Sequence, residues 1–340
     1  MSRVLAGLLL AALVAAPLVL EGYWIGLLTL VLLFATVGQA WNLAMGYAGV
    51  LSLGHALFLG LGGYATALMA GELGIVPWIG IPLGGLLAAA FGAVIAWLGF
   101  RFAVKGVYFA LLTIAFAEFF RIWFDNWSFV GASGGYFLPA LAAEQSAIVN
   151  LRGSSVVLYY AFLGLSVLTL AACHLLVRSR WGFFWRAVRE DEEAAAALGV
   201  GVARAKIAVV AVSAGITGIA GGLFALLNGS LFPDSIMGMR LSIEMIVAPI
   251  IGGLGTLAGP ILGAFVIVPV MEIANEIGQE AGIFGFNTFV YGAMVFVIIV
   301  FRPGGIWPWI AGLSQRRGAP SGDAAASAPA APATKDARDA

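Results

Sequence analysis

Residues 186–199 read RAVREDEEAAAALG and stand between two long apolar runs, 155–177 and 206–227. Around them, within 178–206, lie six basic side chains (Arg178, Arg180, Arg186, Arg189, Arg204, Lys206) and four acids (Glu190, Asp191, Glu192, Glu193). This is the one strongly charged internal loop in an otherwise oily chain. A loop of this kind offers a water-soluble partner something to grip, and it divides the chain into membrane-spanning runs on either side.

Composition fixes the class. The 340 residues are 62% hydrophobic and 10% charged, where a soluble domain carries about 25% charged residues. Surface-to-volume scaling leaves a soluble protein of this size too much exterior to hide so many apolar side chains. Apolar runs of about 20 residues read as membrane spans. The runs are apolar all round rather than alternating, so they are helices and not barrel strands. The expected fold is an all-α integral membrane protein of about ten transmembrane helices, some broken by glycine. The spans fall near 4–20, 23–44, 49–70, 78–99, 106–124, 155–177, 206–227, 242–256, 258–275 and 286–301. Eight spans remain the alternative, because 49–70 and 242–275 are interrupted by glycine and could be re-entrant.

Arg3, Arg101 with Lys105, the 178–206 loop, and Arg302 with Arg316 and Arg317 mark the basic ends. The positive-inside bias then places both termini and that loop in the cytoplasm. Residues 1–16 resemble a secretory signal, but Pro17 directly after Ala15-Ala16 argues against cleavage, and the segment reads as a first helix. Residues 1–311 form the expected transmembrane domain, with 178–206 as its cytoplasmic loop. Residues 312–340 are rich in alanine and proline and read as a disordered cytoplasmic tail.

Several function classes find no support. The net charge is formally zero and no basic, aromatic patch suggests nucleic acid. One cysteine and two histidines leave too few ligands for a protein-built zinc site, so no metal and no cofactor is expected. No Walker loop, HExxH or strand-borne GxSxG occurs, so the chain carries no visible catalytic or ATP-binding motif.

Three segments hold candidate sites. In GYAGVLSLGHALFLGLGG (46–63), Ser52 and His55 are three apart with Gly54 between them, a spacing that shares one helical face. A histidine at membrane depth either borders a translocation pathway or bonds across helices, and both readings stay open. In GGLGTLAGPILG (252–263), Gly255, Gly259 and Gly263 recur every four residues as a packing stripe, and Gly252, Gly253 and Pro260 suit a helix break. Glu118 and Arg121, three apart, suit an ion pair near the outer end of the fifth span.

The chain resembles the branched-chain amino-acid permeases of bacterial ABC importers, the LivM-type members of the LivH/LivM family. The resemblance covers about residues 30–305. It rests on GYAGVLSLGHALFLGLGGYATAL (46–68), KGVYFALLTIAFAEFFR (105–121), EAAAALG (193–199), SAGITGIAGGLFA (213–225), GGLGTLAGPILGA (252–264) and FRPGGIW (301–307). It implies a permease subunit in the bacterial inner membrane that moves leucine, isoleucine or valine. It further implies a LivH-type second permease, two cytoplasmic ATPase subunits and a periplasmic binding protein as partners. Glu193, Ala194, Ala195 and Gly199 match the family's EAA-xxx-G element, which implies a short helix docking into the ATPase. The family's Leu-Pro after that element is replaced by IAVVAVSAG (207–215), and its Thr-Gly-Gly outer loop by GASGG (131–135). Urea, short amides or other amino acids are alternative substrates within the family. An ion-coupled carrier using His55 and Glu118 is the more distant alternative.

Overall fold

Hydrocarbon supplies no hydrogen-bond partners, so a chain inside it must pair its backbone groups within itself. The computed structural model describes residues 3–139, 147–283, 285–301 and 304–309, and it is built almost wholly of helices. In chain order they are α1 (Arg3–Val19), α2 (Tyr23–Asn42), a π-helical turn (Leu43–Tyr47), α3 (His55–Gly71), α4 (Pro77–Arg101), α5 (Val107–Asn126), α6 (Ala147–Asn150) and α7 (Ser155–Arg178). There follow α8 (Arg180–Glu190), α9 (Glu192–Ala197), α10 (Val202–Asn228), α11 (Pro233–Met237), α12 (Met239–Gly252), α13 (Gly259–Glu280) and α14 (Phe286–Phe301). A two-residue ribbon, Tyr136–Phe137 against Ser230–Leu231, ties the loop after α5 to the end of α10. The 312–340 tail lies outside the described residues.

Among the described residues the helices do not confirm a count of ten spans. Among the described residues seven are long and apolar enough to cross a membrane: Tyr23–Tyr47, Pro77–Arg101, Val107–Asn126, Ser155–Arg178, Val202–Asn228, Pro233–Gly252 and Gly259–Glu280. The remaining three expected spans correspond to α1, α3 and α14, of 17, 17 and 16 residues. At these lengths the three helices stand at the short end of the range that crosses a bilayer, about 17–25 residues. The physical reason is clearest at α3. The apolar stretch 49–70 includes residues 49–54 that are not helical, because apolarity reports the solvent and not the backbone.

α2 is the central post: every residue from Val31 to Ala44 is buried. α7, α12 and α13 pack around it, and α3, α4 and α10 form a second, tighter group. Glycine makes that group possible. A Cβ built on Gly62 of α3 would fall inside the Gly218 carbonyl of α10, and one on Gly221 would fall inside the Leu59 carbonyl of α3. Backbone meets backbone at these two crossings, the contact that small residues permit in membranes. Outward faces of α4, α5 and α7 carry exposed Leu86, Trp97, Leu111, Phe119, Leu168 and Leu175. In a bilayer these side chains meet lipid.

One buried group departs from full pairing. Gln39 is 3% exposed, and among the described residues neither amide atom has a hydrogen-bond partner. An unsatisfied buried polar group costs about 1–3 kcal/mol. Replacing it with leucine removes the unsatisfied atoms and keeps most of the volume. Gln39→Leu is therefore expected to raise the apparent melting temperature of the detergent-solubilised protein by about 2 °C or more. A lower melting temperature would show that Gln39 has a partner, such as an ordered water.

Candidate functional site

The charged loop is not irregular chain but two short helices at one end of the bundle. Ser179 starts α8, its Oγ accepting from the Trp181 amide at 3.2 Å. Trp185 and Val188 turn inward, and the Trp185 indole donates to the Ala205 carbonyl at 3.0 Å. Asp191 then starts α9: its carboxylate accepts from the amides of Glu193 at 2.8 Å and Ala194 at 3.0 Å. Side-chain capping of this kind satisfies amides that the helix itself cannot. Gly199 ends the element with φ +85, a conformation that favours glycine. Lys206 of α10 holds α9 from behind through an ion pair with Glu192, its ammonium lying 5.2 Å from the centre of the Phe100 ring.

The matched residues divide by face. Glu193, Ala194, Ala196 and Ala197 are exposed and Leu198 is 85% exposed, whereas Ala195 is 2% exposed and packs into the cluster of Trp185, Val188 and Val209. Of the matched residues, Ala195 thus meets its own chain, while Glu193 and Ala194 face outward.

Behind α8 lies a node that sequence reading missed. Arg189 donates to the carbonyl of Gly46 in the π-helical turn. One turn earlier, Asn42 spans to the α12–α13 connection, donating from Nδ2 to the Thr256 carbonyl at 2.8 Å and accepting on Oδ1 from the Gly255 amide at 2.9 Å. Thr256 closes that connection by bonding the Gly253 carbonyl at 2.8 Å and accepting from the Gly259 amide at 3.1 Å. The four-residue glycine stripe is therefore corrected. Gly255 sits in the turn with φ +72, outside both helices, while Gly252 and Gly253 end α12. Gly259, Pro260 and Gly263 open α13. The close approach is between Gly252 and the Gly259 carbonyl and between Gly263 and the Ala248 carbonyl.

Ser52, Gly54 and His55 lie at a helix start, not within a helix. Residues 48–54 run irregularly between the π-helical turn and α3, and Gly54 is the residue before its first turn. Irregular backbone at membrane depth needs partners from the protein, and it has them. Trp41 donates its indole to the Ser52 carbonyl at 2.7 Å, Thr113 Oγ1 accepts from the Leu53 amide at 3.0 Å, and Ser242 Oγ accepts from the Ala56 amide at 2.9 Å. His55 is 1% exposed; its Nδ1 is 3.1 Å from Ser52 Oγ and its Nε2 is 2.8 Å from Ser213 Oγ on α10. Both ring nitrogens are engaged, and Ser52 meets His55 side chain to side chain from the irregular segment before α3 rather than across a shared helical face.

At the opposite end of the bundle Arg121 donates to Glu118 at 2.8 Å, as their spacing allows, and also to Asp125 at 3.4 Å and Asp234 at 3.1 Å. Asp234 brings α11 onto α5 from 113 residues away, a partner no local pattern could reveal.

Residues 23–301, which contain all seven spans, match the family described as branched-chain amino acid transport system, permease component. This chain belongs to that family. The permease is similar to the high-affinity branched-chain amino acid transport system permease protein LivM of Escherichia coli strain K12, with 27% identity over 321 residues, 88% of this chain and 73% of the relative. A probable LivM permease of Methanocaldococcus jannaschii is 24% identical over 319 residues, 81% of this chain and 90% of the relative. A probable LivH permease of the same organism is 24% identical over 246 residues, 71% and 76% of the two chains. No solved structure matches.

Proposed function

We propose that this permease is one of the two membrane subunits of an ATP-driven importer of leucine, isoleucine and valine. A LivH-type subunit completes the pore, two cytoplasmic ATPases drive it, and a periplasmic protein delivers the substrate. The observation that carries the reading is α9: a capped helix of six residues, held by Lys206, showing an apolar and acidic face that the described residues do not cover. Glu193, Ala194 and Leu198 form the docking face for the ATPase. Ala195 seats the helix, and Gly199 turns the chain out of it. His55, with both nitrogens engaged, clasps α3 to α10, so its contribution to transport is to hold the irregular 48–54 segment in place.

The charge bias supports α9 and both termini on the cytoplasmic side of the inner membrane. Single cysteines at Ser128 and Leu198, in a Cys173→Ser background, test that orientation. An impermeant maleimide on intact cells is expected to label position 128 and not 198; the reverse pattern overturns it. The same chain, co-reconstituted with its partner subunits, is expected to take up leucine only with ATP and binding protein present. Uptake of urea in place of amino acids would move the substrate to the amide branch of the family, and uptake sustained without ATP would favour an ion-coupled carrier.

A further inference from the structure

Two cavities open side by side at the end of the bundle opposite α9. The first, about 530 Å³, brings together both signs of charge: Glu118, Arg121, Asp234, Arg240 and Glu244. The second, about 360 Å³, is walled by Met239, Ile243, Met271 and Tyr291, with Asn287 and Thr288 alongside. Met239, Arg240 and Glu244 line both, so the charged and the apolar compartments share a wall. The Tyr291 hydroxyl donates to the Ile243 carbonyl at 3.0 Å, which fixes its ring as part of the apolar side.

The polar groups differ in how far they are already used. Arg121 is surrounded by three carboxylates. Arg240 commits only its Nε, to Glu244 at 2.9 Å; among the described residues its two terminal nitrogens have no partner, and its side chain is 70% exposed. Asp234 commits Oδ1 to Arg121 and is 84% exposed, and among the described residues its second oxygen has no partner. A free guanidinium fork and an open carboxylate therefore face one cavity, beside a compartment for an aliphatic arm. Guanidinium forks match carboxylates in geometry as well as charge.

We propose that these joined cavities form an outer subsite for a zwitterionic aliphatic amino acid, its carboxylate on Arg240, its ammonium on Asp234 and its side chain against Met239, Ile243, Met271 and Tyr291. The proposal rests on the amino-acid import argued above and adds where this subunit holds the substrate. Cavities of a few hundred Å³, mostly apolar with a few convergent polar groups, are the ordinary form of small-molecule sites. A neutral amide such as urea has neither the separated charges nor the arm, so this pair of compartments would give it no advantage.

Occupancy is tested first, on the full chain reconstituted with its partner subunits. Ile243→Cys in the Cys173→Ser background is expected to react with N-ethylmaleimide, and L-leucine is expected to slow that reaction several-fold and saturably, while urea does not. Selectivity is tested second, by uptake normalised to wild type. Met271→Trp fills the apolar compartment and is expected to reduce leucine uptake about ten-fold more than alanine uptake, the scale on which apolar pockets discriminate arms of different size. Met271→Leu keeps the volume and is expected to behave as wild type. Arg240→Gln is expected to raise the half-saturating concentration of every amino acid carried several-fold. Equal losses for leucine and alanine in Met271→Trp, or no protection of the thiol in Ile243→Cys, would overturn the subsite. Loss of binding-protein-stimulated hydrolysis in Arg240→Gln, with substrate selectivity intact in Met271→Trp, would make this a docking surface for the binding protein instead. A wild-type complex that carries no amino acid overturns the functional reading and the subsite with it, whereas the first two failures leave that reading standing.

Discussion

Gly62→Leu is expected to leave little assembled permease in the membrane. The Cβ alone would enter the Gly218 carbonyl of α10, and Gly62 also faces Gly84 of α4, where a Cβ on Gly84 would lie 2.7 Å from the Gly62 carbonyl. Overpacking costs about 1–3 kcal/mol even where neighbouring side chains can yield. Here the neighbours are main chain, so α3 must leave α10, its first turn must leave Ser242, and the 48–54 segment must leave Thr113. Losses of this size lower steady-state folded protein, here by about ten-fold or more. Gly164→Leu on α7 is the matched control, since a Cβ there meets nothing within 4 Å. Monodisperse protein recovered by size-exclusion chromatography decides the matter. Equal recovery of the two variants would show that the glycine crossing of α3 and α10 is not what closes the bundle.

That crossing shows how far the sequence carries. GYAGVLSLGHALFLGLGG marks close approach or breakage, and both occur, but hydropathy could not say which glycine does which. Gly62 packs, whereas the stretch around Gly49 and Gly54 leaves the helix altogether. An apolar run is a statement about lipid, and VLSLG is as apolar in an irregular segment as in a helix. Charge was more informative. Six basic residues in one loop located the α8–α9 element, because charged side chains stay at the membrane's ends wherever the helices pack. Its inner side was not legible: Ala194 and Ala195 are the same residue type, yet one is exposed and the other is 2% exposed. The Glu118–Arg121 pair followed from spacing within one helix. Asp234, Asn42 and Arg189 act across 113, 213 and 143 residues, and only the three-dimensional fold places them.

Arg189→Gln is expected to leave an importer that hydrolyses ATP but moves far less substrate for it. The ATPase would press on the exposed face of α9. α9 joins α8 through its cap at Asp191, and Arg189 of α8 donates to the Gly46 carbonyl of the π-helical turn. Gly46 lies one turn beyond Asn42, whose amide holds both Gly255 and Thr256. Movement of α8 would therefore reach the end of α2 and the α12–α13 turn together. Glutamine is too short to span from α8 to that carbonyl and carries no charge, and lysine would offer a point charge in place of a planar fork. Coupling free energies of this kind change function about 5- to 150-fold, so the ATP consumed per leucine imported is expected to rise about ten-fold or more. Co-purification with the ATPases should be retained, because Arg189 is not on the exposed face of α9. Leu198→Asp gives the contrasting pattern, losing the ATPases themselves. Combining Arg189→Gln with Asn42→Ala should cost little beyond either change alone, since both would break one connection. Additive losses would place the two residues on separate routes, and undisturbed uptake in Arg189→Gln would show that the bond to Gly46 transmits nothing.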